Sequence, residues 1–340
     1  MTTYRAFQVT GTRTFTLVDR PLLHPEPGHV RIRVLACGVC HSDSLAVEGQ
    51  RADPEQPIVP GHEIVGEIDA VGADVDGRWQ VGDRVGVGFL GGQCGHCDFC
   101  RHGDFVNCED QPLPGTTVDG GYAEVTYARA CGLVRIPDRF DPMTAAPLLC
   151  AGVTVFNALR AADAPRNTLV AIQGIGGLGH LGVQYAKNMG YRVAAIARGH
   201  EKSSLAMSLG ADHYIDSASG DTTSALTALG GATAIVATAA SGASMAGLVA
   251  GLRPRGRLIV VGASDEPIPV QTSDLIFGGR SIVGSLTGSA ADNEDSLTFS
   301  LAHQIAPMIE TVPFEDAPRA YERMMAGQAR FRIVLDFSGR

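Results

Sequence analysis

The chain has 340 residues, 45% of them hydrophobic and 19% charged, with a formal net charge of −9. That length suits two domains and that balance a well-packed globular enzyme, while the acidic surplus excludes a nucleic-acid backbone or an anionic membrane as partner. The opening MTTYRAFQVT lacks the basic and then apolar run of a signal peptide, and nowhere do eighteen apolar residues follow one another, so the expectation is a cytoplasmic protein whose eight cysteines stay reduced and, where clustered, bind metal.

Up to about residue 150 the chain runs as short β-like pieces broken by Gly and Pro: HVRIRVLACG (29–38), EIVGEIDAVG (63–72), RWQVGDRVGVGF (78–89) and YAEVTYA (122–128). From about 152 to 287 β-branched runs alternate with Ala/Leu-rich helical stretches: TLVAIQ, a helix over HLGVQYAKNMG, RVAAIA, a helix over KSSLAMSLG, then HYID, TAIVATA, RLIVVGA and SIVGSL. Such alternation predicts a parallel sheet with helices on both faces. After 288 come helical pieces around Glu294 to Ala306 and Ala317 to Ala326, then a strand, FRIVLDF. The fold class is α/β, a β-rich half joined to a doubly wound parallel sheet.

Between the third and fourth β pieces lies GGQCGHCDFCRHGDFVNCED, with Cys94, Cys97, Cys100 and Cys108 spaced C-x2-C-x2-C-x7-C. Zn²⁺ takes four tetrahedral thiolates, and cysteines two residues apart let one turn present two sulfurs to one ion. An iron–sulfur cluster run also begins C-x2-C-x2-C but continues x3-C-P, whereas here the fourth cysteine comes later and precedes Glu109. Four protein ligands leave no open position, so this is a structural site, and His96 and His102 within the loop are solvated. Cys37 and Cys131 are expected to be buried or inert.

The stretch QGIGGLG places Gly174, Gly176, Gly177, Leu178 and Gly179 after a strand and at the opening of a helix. In that setting the glycines allow a tight turn and seat a pyrophosphate at the helix N-terminus. The second strand ends Ile196-Ala197-Arg198-Gly199, without the acid that holds the ribose 2′-OH of NAD. Arg198, aided by Lys202 one helical turn on, can pair with a 2′-phosphate instead, which favours NADP(H).

Far apart in the chain stand Cys40, His62-Glu63 and Cys150, in CGVCHSD, PGHEIVGEIDAVG and PLLCAGVTVFNAL. Together they supply two thiolates and one imidazole. With GIGGLG, ARFRIVLDF and the four-cysteine loop, these stretches resemble the zinc-dependent medium-chain alcohol dehydrogenases over essentially the whole length, with a lean toward the cinnamyl-alcohol and broad aldehyde-reductase branch. The pattern G-H-E-x2-G-x5-G from Gly61 to Gly72 carries most of that likeness.

The resemblance implies a GroES-like catalytic domain over 1–151, a Rossmann domain over 152–287, a return to the first over 288–340, and an active site in the cleft between them. It implies two Zn²⁺ per chain: a catalytic ion on Cys40, His62 and Cys150, the two-Cys, one-His shell by which alcohol dehydrogenase is known, and a structural ion on the four-cysteine loop. Glu63 is a carboxylate behind the catalytic ion, Asp43 orients His62, and Ser42 takes the alcohol proton. Zinc lowers the pKa of bound water from about 16 to about 7, and a bound alcohol should respond similarly. Where many relatives carry a relay histidine this chain has Leu45. His41 and Arg332 are assigned to the cofactor pyrophosphate, Thr154 borders the nicotinamide, and Val261, Gly262 and Ala263 flank its ring. Leu45, Phe89 and Leu90 wall an apolar pocket suited to primary aliphatic or benzylic alcohols and aldehydes. The chain is expected to form a homodimer or homotetramer. Two alternatives stay open: the same fold using NAD(H) or acting on polyols or a formaldehyde–thiol adduct, and a non-catalytic zinc-stabilised redox sensor.

Overall fold

The computed structural model describes residues 2–50 and 56–338. Among them fifteen strands follow in chain order: β1 (Thr3–Val9), β2 (Phe15–Pro21), β3 (His29–Val39), β4 (Glu63–Val71), β5 (Arg84–Val87), β6 (Val125–Arg129), β7 (Val134–Arg135), β8 (Leu169–Gln173), β9 (Arg192–Ala197), β10 (His213–Asp216), β11 (Ala232–Ala237), β12 (Leu252–Val260), β13 (Ser281–Gly284), β14 (Ile309–Pro313) and β15 (Arg332–Asp336). They fall into two compact units. One runs to Val153 and takes in Thr287–Ala302 and the chain from Ala306; the other is Thr154–Leu286 with His303–Ile305.

In the first unit a seven-stranded sheet runs β14-β15-β3-β4-β5-β7, with its seventh strand, β6, off this path and paired to β3. Strand β3 is its spine. Its first half alternates, with Val30, Ile32 and Val34 buried while Arg31 and Arg33 face outward and bond Asp69 at 2.7 Å and Glu67 at 2.5 Å. The register against β4 then shifts between Val34 and Ala36, and from Ala36 to Val39 the strand is buried on both faces. This buried end has β4 on one side and β15 on the other, with Gly38 opposite both Glu63 and Val334. Small side chains are needed there, because a Cβ on Gly38 would meet a Glu63 carboxylate oxygen at 1.9 Å.

The β piece over 78–89 is shorter than its sequence suggests. Only Arg84–Val87 forms a strand, since Gly82 takes a φ of +95° and Trp79 is held aside, its indole N–H on the Ala130 carbonyl at 3.0 Å and its ring under the guanidinium groups of Arg78 and Arg135. The antiparallel pair β1 and β2 was not singled out by its sequence at all.

The second unit is a six-stranded, all-parallel sheet in the order β10-β9-β8-β11-β12-β13. With β8 as its first strand this is the 3-2-1-4-5-6 winding of a dinucleotide-binding fold, whose order reverses between β8 and β11. LVAIQ and ATAIVA are buried throughout, as strands covered on both faces must be. The helix Gly179–Asn188 packs close because a Cβ on Gly179 would lie 1.7 Å from the Gly174 carbonyl oxygen. Among the described residues no single helix is long and apolar enough to cross a membrane; the one bent pair with the length, Pro142–Leu149 and Ala151–Ala161, is made largely of buried residues.

Replacing Gly179 by Ala should cost about 1–3 kcal/mol through overpacking, whereas Gly176, whose Cβ would meet nothing within 4 Å, should tolerate Ala within about 0.5 kcal/mol. Urea denaturation of the two variants checks the contrast; equal losses would refute it.

Candidate metal and cofactor sites

The four-cysteine loop folds as its spacing suggests. The sulfurs of Cys94, Cys97, Cys100 and Cys108 all lie within 4.8 Å of one another. Backbone N–H groups of His96 and Cys97 point at the Cys94 sulfur, at 3.5 and 3.4 Å, and Cys94 N–H donates to the Cys108 sulfur at 3.2 Å. These donors pull the Cys94 thiol down to about 7, while burial pushes Cys100 up to about 12. Backbone donors thus favour negative sulfur at Cys94 and Cys97. His96 and His102 are exposed and bond the Cys94 and Asp98 carbonyls of the loop itself. Cys131 is exposed rather than buried, but its thiol donates to the Gln93 carbonyl at 3.3 Å and desolvation of the sulfur raises its pKa, which agrees with an inert thiol. Cys37 is fully buried.

The second cluster gathers at the buried end of β3. The ligand atoms of Cys40, His62, Glu63 and Cys150 lie within 4.8 Å of one another, and all four residues are buried. Strand β3 delivers Cys40, the start of β4 delivers Glu63 with His62 just before it, and Cys150 ends the short helical turn Ala146–Leu149. The two sulfurs are 3.8 Å apart. The facing Cys150 thiol holds Cys40 well below the ordinary cysteine range, and the pair pushes Cys150 well above it, as expected of two sulfurs sharing one proton. Burial opposes charge on His62, but Cys40 and Asp43 outweigh it and raise the imidazole well above its usual value. The raised Cys150 and His62 report buried negative charge on Cys40, and the low Cys40 reports the thiol that faces it.

His62 Nδ1 lies 2.9 Å from Asp43 Oδ1, which leaves Nε2 for the cluster, and Nε2 has no hydrogen-bond partner among the described residues. The Phe89 ring meets the imidazole edge-on at 5.1 Å. Two thiols and an unpartnered buried imidazole nitrogen are the soft donor set that Zn²⁺ prefers, so zinc fits. Glu63 ion-pairs with Arg332, while burial lifts the carboxyl to about 7 against the pull of that arginine. Its other oxygen, Oε2, has no partner. Arg332, assigned by resemblance to the pyrophosphate, is only 5% exposed and engaged by Glu63, so its charge serves this cluster first.

Ser42 and Leu45 are half-buried in the turn after Cys40, and His41 is exposed. Phe89 is half-buried and Leu90 buried. Tyr122 was missed: it is fully buried and its hydroxyl donates to Asp43 Oδ2 at 2.9 Å. The only trace in the sequence is the pair of glycines before it, Gly120 and Gly121, inside a run that reads simply as strand.

In the other unit Gly174 takes a φ of +90° and turns the chain from β8 into the helix Gly179–Asn188, with Thr238 Oγ1 donating to the Gly174 carbonyl at 2.8 Å. Gly176, Gly177 and Leu178 lie in this turn. Arg198 is exposed at the end of β9. Lys202 is drawn toward the glycine turn, its Nζ donating to the Ile175 carbonyl at 2.8 Å, rather than standing only beside Arg198. Val261 and Gly262 are half-buried and Ala263 exposed beyond the end of β12, and Thr154 is buried.

A doubly wound dinucleotide sheet and a buried soft-metal donor set in one chain are the equipment of a metal-dependent dehydrogenase. Two family models match accordingly: the alcohol dehydrogenase GroES-like domain over residues 26–138 and the zinc-binding dehydrogenase domain over 177–302. The chain is 44% identical over 320 residues to the alcohol dehydrogenase notN of Aspergillus sp. (strain MF297-2), covering 94% of each. It superimposes on a cinnamyl alcohol dehydrogenase of Sorghum bicolor with a TM-score of 0.90 at 31% identity, covering 99% of this chain and 98% of that one. With the CAD of Helicobacter pylori complexed with NADP(H) the TM-score is 0.87 at 27% identity, over 99% and 98%. The chain belongs to the zinc-binding alcohol dehydrogenase family, and it is an oxidoreductase enzyme, which sets aside the non-catalytic sensor.

If both clusters hold metal, the purified chain should carry two zinc ions, and His62→Ala should lower that to one while removing at least about 99% of turnover, as loss of a group essential to the transition state does. Metal analysis beside an alcohol oxidation assay reads both; full zinc with lost activity would contradict the assignment.

Proposed function

We propose that the enzyme interconverts primary aliphatic or benzylic alcohols and their aldehydes, with hydride passing to or from NADP(H). The observation that carries this reading is the pair of buried sulfurs 3.8 Å apart beside the unpartnered Nε2 of His62. Cys40, His62 and Cys150 would hold a catalytic zinc, with Glu63 as the carboxylate beside it, and Cys94, Cys97, Cys100 and Cys108 a structural one. When bound, the catalytic ion supplies Lewis acidity at the substrate oxygen.

The rest of the work falls to the chain. Asp43 keeps Nδ1 of His62 occupied, so that Nε2 faces inward. Ser42 would accept the alcohol proton at Oγ and pass it outward. Leu45 offers no proton, so the route from Ser42 does not run through that side chain. Glu63 sets its carboxyl against the cluster, and the buried guanidinium of Arg332 balances it. Phe89 sets its ring against His62, and with Leu45 and Leu90 it would wall an apolar pocket that suits a hydrocarbon better than a polyol.

NADP(H) over NAD(H) is supported by Arg198 at the end of β9 where an acid would be needed for NAD, and by the NADP(H) bound in the Helicobacter pylori structure. The glycine turn from Gly174 to Gly179, with Lys202, would seat the pyrophosphate, and Thr154 and Val261–Ala263 of the same unit would border the nicotinamide. A homodimer or homotetramer is supported by Ile276 and Phe277, 71% and 88% exposed, close to the edge strand β13 with its half-open Ile282 and Val283.

A panel of aliphatic, benzylic and polyol substrates assayed with both cofactors tests the reading. NADPH should give the higher kcat/KM, and Arg198→Asp should cut it about tenfold to a hundredfold, the worth of one charge-assisted hydrogen bond, while leaving NADH nearly unchanged; a preference for NADH would overturn the cofactor assignment. For the assembly, Phe277→Arg should shift the chain toward monomer in sedimentation, and an unmoved profile would place the interface elsewhere.

A further inference from the structure

Three polar groups surround the Asp43 carboxylate, two of them hydrogen-bonded to Oδ2 and the third close to Oδ1. Its Oδ2 accepts the Cys40 N–H at 2.9 Å and the Tyr122 hydroxyl at 2.9 Å, and its Oδ1 lies 2.9 Å from His62 Nδ1. The tyrosine is fully buried, so no water can replace its hydroxyl or its acceptor. Its placement is fixed from both ends. Gly120 N–H, Gly121 N–H and Tyr122 N–H donate to the carbonyls of Val59, Gly61 and Pro60, at 2.7, 2.9 and 2.9 Å, which lashes this segment to the turn that leads into His62. Gly61 adopts a φ of +101°, and a Cβ there would strike the Tyr122 ring at 2.6 Å, so ring and turn pack without a gap.

We propose that Tyr122 is a positioning residue for the metal centre: its hydroxyl locks the Asp43 carboxylate, and through it the His62 ring, in the pose that offers Nε2 to the ion. The inference rests on reading Cys40, His62 and Cys150 as metal ligands. With both Oδ2 donors present the carboxylate cannot turn about its terminal bond without losing two hydrogen bonds. With the hydroxyl gone only the Cys40 N–H holds that oxygen, and the imidazole loses its fixed orientation. Outer partners of metal ligands are typically worth 10- to 100-fold in metal affinity or activity.

The test compares the wild-type chain with Tyr122→Phe, Asp43→Asn and the double variant, each zinc-loaded and full length, by timing zinc release to excess 4-(2-pyridylazo)resorcinol. Two release phases are expected, and His62→Ala, lacking one, assigns them. Tyr122→Phe should speed the Cys40–His62–Cys150 phase about tenfold and leave the four-thiolate phase at its wild-type rate. The double variant should release no faster than Asp43→Asn alone, because groups acting in series do not add. An unchanged rate in Tyr122→Phe, equal acceleration of both phases, or multiplicative effects in the double variant would each overturn the proposal. A wild-type chain that releases zinc in one phase only would overturn the ligand reading itself, and this inference with it.

Discussion

Two sulfurs 3.8 Å apart in a dry interior, with a carboxylate and an imidazole against them, form a knot of negative charge that the first unit must keep assembled. Desolvated anions of this density are costly unless a cation sits among them or protons are taken up. The directions of the perturbed groups express that cost: Cys150 keeps its proton, His62 holds one firmly, Glu63 is lifted toward neutrality and Arg332 is pulled in as counter-ion. The surrounding fold serves to keep such groups close against their mutual repulsion. Strand β3 does this by placing its buried end between β4 and β15, so that the three elements bearing Cys40, Glu63 and Arg332 are hydrogen-bonded neighbours.

The two sulfur-rich sites differ in how far apart their ligands stand in the chain, and that decides which of them the sequence alone reveals. Cys94, Cys97, Cys100 and Cys108 lie within fifteen residues, and a local turn brings them together, so spacing alone revealed the cluster. Cys40 and Cys150 are 110 residues apart and meet only through sheet topology; nothing in either neighbourhood announces the other, and family resemblance had to supply the pairing. Arg332 shows the limit of that route. Its place at the head of the last strand was recognisable, but its partner Glu63 is 269 residues away, and an ion pair between two strands that flank a third leaves no pattern in either stretch.

The parallel sheet was the most legible part, because strands buried on both faces must be written as unbroken apolar runs such as LVAIQ and ATAIVA. The β-rich unit was harder. Strand β2 alternates only weakly and most of its side chains are open to solvent, and the piece before β5 looks like a strand only through Trp79 and Val81, of which Trp79 is there to pack and not to extend a strand. Tyr122 was invisible for a related reason: a tyrosine in a strand-like run is ordinarily a packing residue, and only the position of Asp43 gives its hydroxyl a purpose.

The shift in register between Val34 and Ala36 sets how β3 addresses its neighbours. Side chains on a strand alternate sides with every residue, so the extra step there decides that Gly38, and not Cys37 or Val39, stands where the Glu63 carboxylate needs room. Lengthening or trimming this segment by one residue would present a bulky side chain to that oxygen and turn a sulfur the wrong way. Loops elsewhere in the chain can drift in size over evolutionary time, but the count of residues from the middle of β3 to Cys40 cannot.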